Sequence, residues 1–105
     1  MLKGNVIGRF VKEPEANYTK TGKKICHFDI ACPSSYDREK TNFIRCIAFG
    51  NMAEAIVKYC EKGQKVYANG NLEISINEYN GKKYTNVELY VDDLEFLEKA
   101  KEKKQ

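Results

Sequence analysis

The sequence predicts a mainly β domain: a small five-stranded barrel with one α-helix between the third and fourth strands. Three observations predict it. Runs of alternating apolar and polar residues recur along the chain, which is the period of half-buried strands. One stretch after residue 50 carries its apolar residues at helical spacing instead. Asn80-Gly81 stands between two strand-like runs and tolerates the positive φ angles of a type I′ turn. The chain has 105 residues, which suits one domain with an ordinary core.

Residues 5–11 read as the first strand, with Gly8 inside it as a bend. Lys12-Glu13-Pro14-Glu15 breaks that strand, and residues 18–24 form a polar turn. Residues 25–32 are the second strand, where Cys26, Phe28, Ile30 and Cys32 alternate with His27, Asp29 and Ala31. Pro33-Ser34-Ser35 ends it, and residues 37–40 are a charged loop. In the third strand, 43–49, one parity holds Ile44, Cys46 and Ala48. The other holds Phe43, Arg45, Ile47 and Phe49, and only this one sets a cation between aromatics.

Asn51-Met52-Ala53-Glu54 has capping-box form and predicts a helix N-capped by Asn51, with Gly63 as its stop just past Lys62. Ala53, Ile56, Val57 and Cys60 give that helix its apolar stripe. The fourth strand spans about 65–76, with Gly70 as a second bend. The fifth spans 85–91, and Leu94, Phe96 and Leu97 extend it or open a short helix. Phe10, Phe28 and Phe96 are candidates for the core; Tyr59, Tyr67 and Tyr90 are read as packing residues. Residues 1–98 thus form one domain, with 99–105 as a short charged extension expected to fray. Strand, strand, strand, helix, strand, strand is the order of the Greek-key OB barrel.

The composition excludes several classes. Eighteen Lys and Arg stand against fifteen Asp and Glu, a net of +3, which is neither a disordered nor a polybasic chain. The balance is uneven, however. Residues 1–84 hold fourteen cations and nine anions, whereas 85–105 hold four and six. No apolar run approaches a membrane span, and residues 1–5 do not resemble a signal peptide, so a cytoplasmic protein is expected. Cys26, Cys32, Cys46 and Cys60 form no Cys-x-x-Cys pair and read as reduced, small hydrophobes. No phosphate loop, nucleophile elbow or zinc-protease motif is present. Glu13 and Glu15 flank Pro14 in an exposed turn, where nothing tunes a carboxylate for acid–base work. We therefore expect no catalytic residues, no metal and no cofactor. A small redox protein using the four thiols is the reading from a different class.

Aromatic residues beside cations are the stronger signal. Tyr18 lies with Lys20, Lys23 and Lys24; Tyr36 precedes Arg38; Phe43, Arg45 and Phe49 share a strand face; Tyr79 and Tyr84 bracket Lys82 and Lys83. Every base has a π-face, so stacking on Tyr or Phe adds about 1–3 kcal/mol per base without reading sequence. Neighbouring cations neutralise phosphates. Duplex DNA hides its base faces, so the pattern favours single strands. We expect Tyr36, Phe43, Phe49 and Tyr79 as stacking residues. Arg9, Lys20, Lys23, Lys24, Arg38, Arg45, Lys82 and Lys83 are the phosphate or polar contacts.

The same residues resemble a known family. Gly8-Arg9-Phe10-Val11-Lys12-Glu13-Pro14-Glu15 and Tyr18-Thr19-Lys20-Thr21-Gly22 are similar to the opening of bacterial single-stranded DNA-binding proteins. Residues 43–50 leading to Ala53-Glu54 resemble the family's aromatic-x-Arg strand and following helix. Lys62-Gly63-Gln64-Lys65-Val66-Tyr67, Gly70-Asn71-Leu72 and Tyr84-Thr85-Asn86-Val87-Glu88 match further elements in order. The resemblance covers about residues 4–97. It implies an OB-fold core, a homotetramer and DNA wrapped by stacking, with Tyr36, Phe43 and Phe49 at stacking positions and Arg45 at a polar one. It also implies roles in replication, recombination and repair, in a bacterial nucleoid or on phage or plasmid DNA. Two departures stand out. Glu73 and Ser75 replace basic residues and Asn77 replaces an aromatic, with Tyr79 two positions on. The chain closes on Lys103-Lys104-Gln105 without the family's acidic, Phe-tipped peptide, so recruitment of replication and repair enzymes through such a tail is not expected. A specialised primosome accessory with weaker DNA binding is the alternative within the fold.

Overall fold

Seven elements follow one another in the structure, a computed structural model that describes residues 1–98. They are β1 (Lys3–Phe10), β2 (Glu15–Tyr18), β3 (Lys24–Pro33), β4 (Thr41–Phe49), α1 (Gly50–Tyr59), β5 (Lys65–Tyr79) and β6 (Lys82–Phe96). The extension 99–105 lies outside the described residues. The five expected strands are β1, β3, β4, β5 and β6. The short β2 is additional, and pairs antiparallel with β3 from Glu15↔His27 to Tyr18↔Lys24.

The sheet runs β1-β5-β6-β4-β3-β2, and β1 also pairs with β3. That last pairing, Arg9↔Ala31 and Phe10↔Ile30, closes the ring into an OB barrel. All ring pairings are antiparallel except β4 with β6, where Arg45↔Glu88, Cys46↔Leu89 and Ile47↔Tyr90 run parallel. Closure needs two close backbone approaches. A Cβ on Gly8 would run into the Ala31 carbonyl, and one on Gly70 into the carbonyl of Tyr90. Both bends expected from the sequence are therefore places where only glycine fits. At Gly70 the β5–β6 register also shifts, as at a bulge.

The interior is small-residue and thiol-rich. Phe10 and Phe28 stack at 4.9 Å between ring centroids, 14° from coplanar. Ile30, Val66 and Leu89 are fully buried with Cys26, Cys46 and Cys60. The three cysteines thus act as the compact hydrophobes expected of them. Burial pushes the Cys46 thiol up to about 12, so it stays protonated and inert at neutral pH. The helix packs on β2, β3 and β4 and buries Ala53 and Ile56. Buried Gln64 donates to the carbonyls of Lys65 and Glu98, fastening the segment just after β6 to the start of β5.

Four local expectations are corrected. Asn51 does not cap the helix. β4 runs straight into α1 through Gly50 at φ +61°, so the N-cap position falls on Phe49, with no side-chain cap bond. Gly63 does not end the helix, which stops at Tyr59 with Cys60 as C-cap. Gly63 instead turns the chain at φ +87° and donates its N–H to the Phe10 carbonyl. Phe96 is not core: β6 extends to it, past the closed part of the barrel, and the ring is 39% exposed. Tyr59 is likewise exposed, on the outer side of α1. The Asn80-Gly81 turn matches its expectation, with φ +51° and +77°.

Gly8→Ala is expected to lower stability by about 2–3 kcal/mol in urea unfolding, because the obstacle is backbone rather than a mobile side chain. A second expectation follows from Cys46. An unfolded thiol ionises near 9.0 and the folded one near 12, so the stability it contributes is complete below pH 9 and is lost as pH rises through that window. Stability measured from pH 8 to 11 should fall less steeply in Cys46→Ala, by up to about 1.4 kcal/mol per pH unit.

Candidate nucleic-acid interface

The outer faces of β3, β4 and β6 form the surface to which the predicted residues belong. Alternation sends Cys46 and Ala48 of β4 inward and presents Phe43, Arg45 and Phe49 outward; Ile47 shares this face but is buried. In register, Phe43 lies beside Ala31, Arg45 beside Asp29, Ile47 beside His27 and Phe49 beside Ile25. Phe43 is 67% exposed, an uncovered ring on an otherwise polar rim.

Phe49 is the centre of the surface. The Tyr90 ring stacks on it at 6.1 Å and 18°, and the Lys23 ammonium stands 5.0 Å from its centroid. Lys23 is placed by the β2–β3 turn. The Thr19 N–H donates to the Lys23 carbonyl at 2.8 Å, the Lys23 N–H donates to Thr19 Oγ1 at 3.1 Å, and Gly22 adopts φ +83°. Lys24 lies 5.8 Å over the Tyr18 ring in the same hairpin. Lys20 is exposed near the tip. Lys24 thus meets Tyr18 as the spacing suggested, whereas the meeting of Lys23 with Phe49 is made by the fold.

Tyr36 is fully exposed, yet its loop is ordered by hydrogen bonds. Ser34 Oγ accepts from the N–H groups of Tyr36 and Asp37, and Asp37 Oδ1 accepts from Glu39 N–H. Arg38 projects from that loop and holds no ion pair among the described residues.

The other predicted residues are not brought to the centre. Arg9 is engaged on the far end of β1: its guanidinium donates to both Glu98 carboxylate oxygens, at 2.8 and 3.0 Å, and to the Gly63 carbonyl. Arg45 lies on the face but is also paired, with Nε 2.7 Å from Asp29 Oδ1. That hydrogen bond, followed by the charge of Asp29, holds the Arg45 guanidinium above its ordinary range. Tyr79, Lys82 and Lys83 stand at the tip of a ribbon formed by β5 and β6, whose residues 73–87 are all exposed. Tyr90, expected as a packing residue, faces outward because Leu89 points inward, and it packs on Phe49 there. Among the described residues no group of three or more His, Cys, Asp and Glu is placed to hold a metal ion, and no helix is long and apolar enough to cross a membrane.

A closed OB barrel with aromatic rings and lysines on one face agrees with the family comparison, in which the model of the single-strand binding protein family matches residues 1–97. The chain belongs to the single-strand binding protein family. A single-stranded DNA-binding protein of Fusobacterium nucleatum is 39% identical over 97 residues, covering 87% of this chain and 63% of that protein. One from Clostridium perfringens is 29% identical, covering 93% and 67%. Single-stranded DNA-binding protein 2 of Clostridium acetobutylicum is 29% identical, covering 97% and 80%. The chain thus spans about two thirds or less of the length of the first two of these family members.

Proposed function

We propose that the protein binds single-stranded DNA without sequence preference, and that it coats and protects unpaired strands in bacterial replication, recombination and repair. The Lys23–Phe49–Tyr90 cluster carries this reading. It offers half-exposed aromatic rings, on which bases can stack, beside an ammonium that neutralises phosphate. The strand passes over Phe43 and Phe49, takes phosphate contacts from Lys20, Lys23 and Lys24, and reaches Tyr36 and Arg38 on their ordered loop. The work is binding, not catalysis, in the bacterial cytoplasm.

In the same reading the chain assembles as a homotetramer. β1 pairs with β5 along Lys3 to Arg9 but with β3 only at Arg9 and Phe10, which leaves its other edge open over most of its length. An open edge of this kind is covered by pairing with a second copy. Light scattering at micromolar concentration should return four times the chain mass. A monomer overturns the assembly, and a dimer with weak DNA affinity replaces this reading with that of an accessory protein.

Titration with oligo(dT) of several tens of nucleotides and with a duplex of equal length should show clear preference for the single strand. Equal affinity for both, or binding to neither, overturns the proposal. Phe49→Ala is expected to weaken oligo(dT) binding by about 1–3 kcal/mol with little change in the salt dependence. Lys23→Ala should flatten the plot of log K against log salt by about 0.7, one phosphate contact on a single strand.

A further inference from the structure

A row of charged residues crosses the same face beside the stacking cluster. Asp29 of β3 pairs in register with Arg45 of β4, Arg45 with Glu88 of β6, and Glu88 with Glu73 of β5. The row holds one cation against three carboxylates, and that cation is already bound to Asp29 at 2.7 Å. Glu73 and Glu88 therefore face each other directly as like charges. Neither takes part in an ion pair among the described residues.

The position of this pair decides where a strand can go. On its barrel side lies Tyr90, in register with Ile47 and Asn71, its ring stacked on Phe49. A shallow hollow lined by Asn71, Glu73 and Tyr90 sits at the boundary. On the other side the ribbon continues with Ser75 opposite Asn86 and Asn77 opposite Tyr84, all uncharged, before Tyr79 and Lys82 meet at the tip. Tyr79 lies six positions beyond Glu73, roughly 20 Å of strand. Physiological salt screens exposed charges beyond about 8 Å. The tip lysines are thus too far away to offset the two carboxylates, and the one cation beside them, Arg45, is held by Asp29, so a phosphate moving onto the ribbon meets net repulsion.

We propose that Tyr90 is the last stacking surface on the DNA path, and that the Glu73–Glu88 pair keeps the strand off the β5–β6 ribbon, so that Tyr79, Lys82 and Lys83 do not touch it. This rests on the single-strand reading above and assigns that path its end. It gives Tyr90 a binding role and gives the two glutamates a restrictive one. The tip cluster of aromatics and lysines is left outside the bound state.

The test is a salt-series titration with oligo(dT) on the full chain. Tyr90→Ala should weaken binding about tenfold, within the range for one base lost from an aromatic platform, and leave the salt slope unchanged. Tyr90→Phe should bind as the parent protein does. The double substitution Lys82→Ala, Lys83→Ala should leave affinity and slope unaltered; both residues are exposed at the tip, so this variant folds even where Tyr90→Ala does not. With Glu73→Gln and Glu88→Gln in place, binding should tighten, and the same lysine substitutions should now flatten the slope by about 0.7, one phosphate on a single strand, since Lys82 shares the face of the two glutamates and Lys83 lies on the other beside Glu78. A flattened slope from the lysine pair with both glutamates intact overturns the proposal, as does parent-like binding by folded Tyr90→Ala. If the parent protein binds no oligo(dT), the single-strand reading itself fails, and the first titration shows it.

Discussion

Two backbone crossings without side chains allow this sheet to close. At Gly8 the carbonyl of Ala31 comes too near for a Cβ, and at Gly70 the carbonyl of Tyr90 does. The first lets β1 leave β5 and pair with β3 at Arg9 and Phe10. The second turns β5 sharply at the bulge, so that one half serves the barrel and the other half projects as a ribbon. The inner and outer faces of β4 exist only because the ring is closed. Inward, Cys46 and Ala48 meet a core that Phe10 and Phe28 fill. Outward, Phe43, Arg45 and Phe49 are displayed together. The crossing at Gly70 also bears on the face directly, since the carbonyl it admits belongs to the tyrosine stacked on Phe49.

On that face, charge and ring chemistry are separated along the strands. Near the β2–β3 hairpin, ammonium groups lie over rings. Two residues along β4 from Phe49 comes Ile47, and two further Arg45, already matched by Asp29. An exposed ion pair of this kind adds little to stability. Its larger effect is to remove one positive charge from a surface where position decides what can bind. Arg9 is withdrawn in the same way by Glu98, at the other end of the barrel. A count of cations in the sequence therefore overstates the charge available to a phosphate chain.

The strand order was legible because each ring strand is long enough to show its alternation, and because Asn80-Gly81 carries its turn geometry in its own residues. The four residues of β2, Glu-Ala-Asn-Tyr, have no apolar period, and their pairing is dictated by β3 rather than by local propensity. The helix starts one residue before the expected cap for a related reason. Asn51 and Glu54 have capping-box spacing, but β4 holds its register to Phe49 and Gly50 reverses the chain at once, leaving no free position for a cap. At the site, the rings on β4 and the lysines of the first hairpin were visible in sequence. The partners of the arginines were not, because Asp29 is 16 positions from Arg45, and Glu98 is 89 from Arg9. Alternation with Leu89 places Tyr90 on the outer face, but its partner Phe49 is not legible in sequence, because the two meet only through the parallel β4–β6 pairing.

The Thr19 turn has one more consequence. It fixes the backbone from which Lys23 reaches over Phe49, so the free protein presents an ammonium above an aromatic ring of its outer face. Two free molecules that meet at this face bring like charges together before the rings can touch. The side chain that greets a phosphate thus also acts as a lid against self-adhesion.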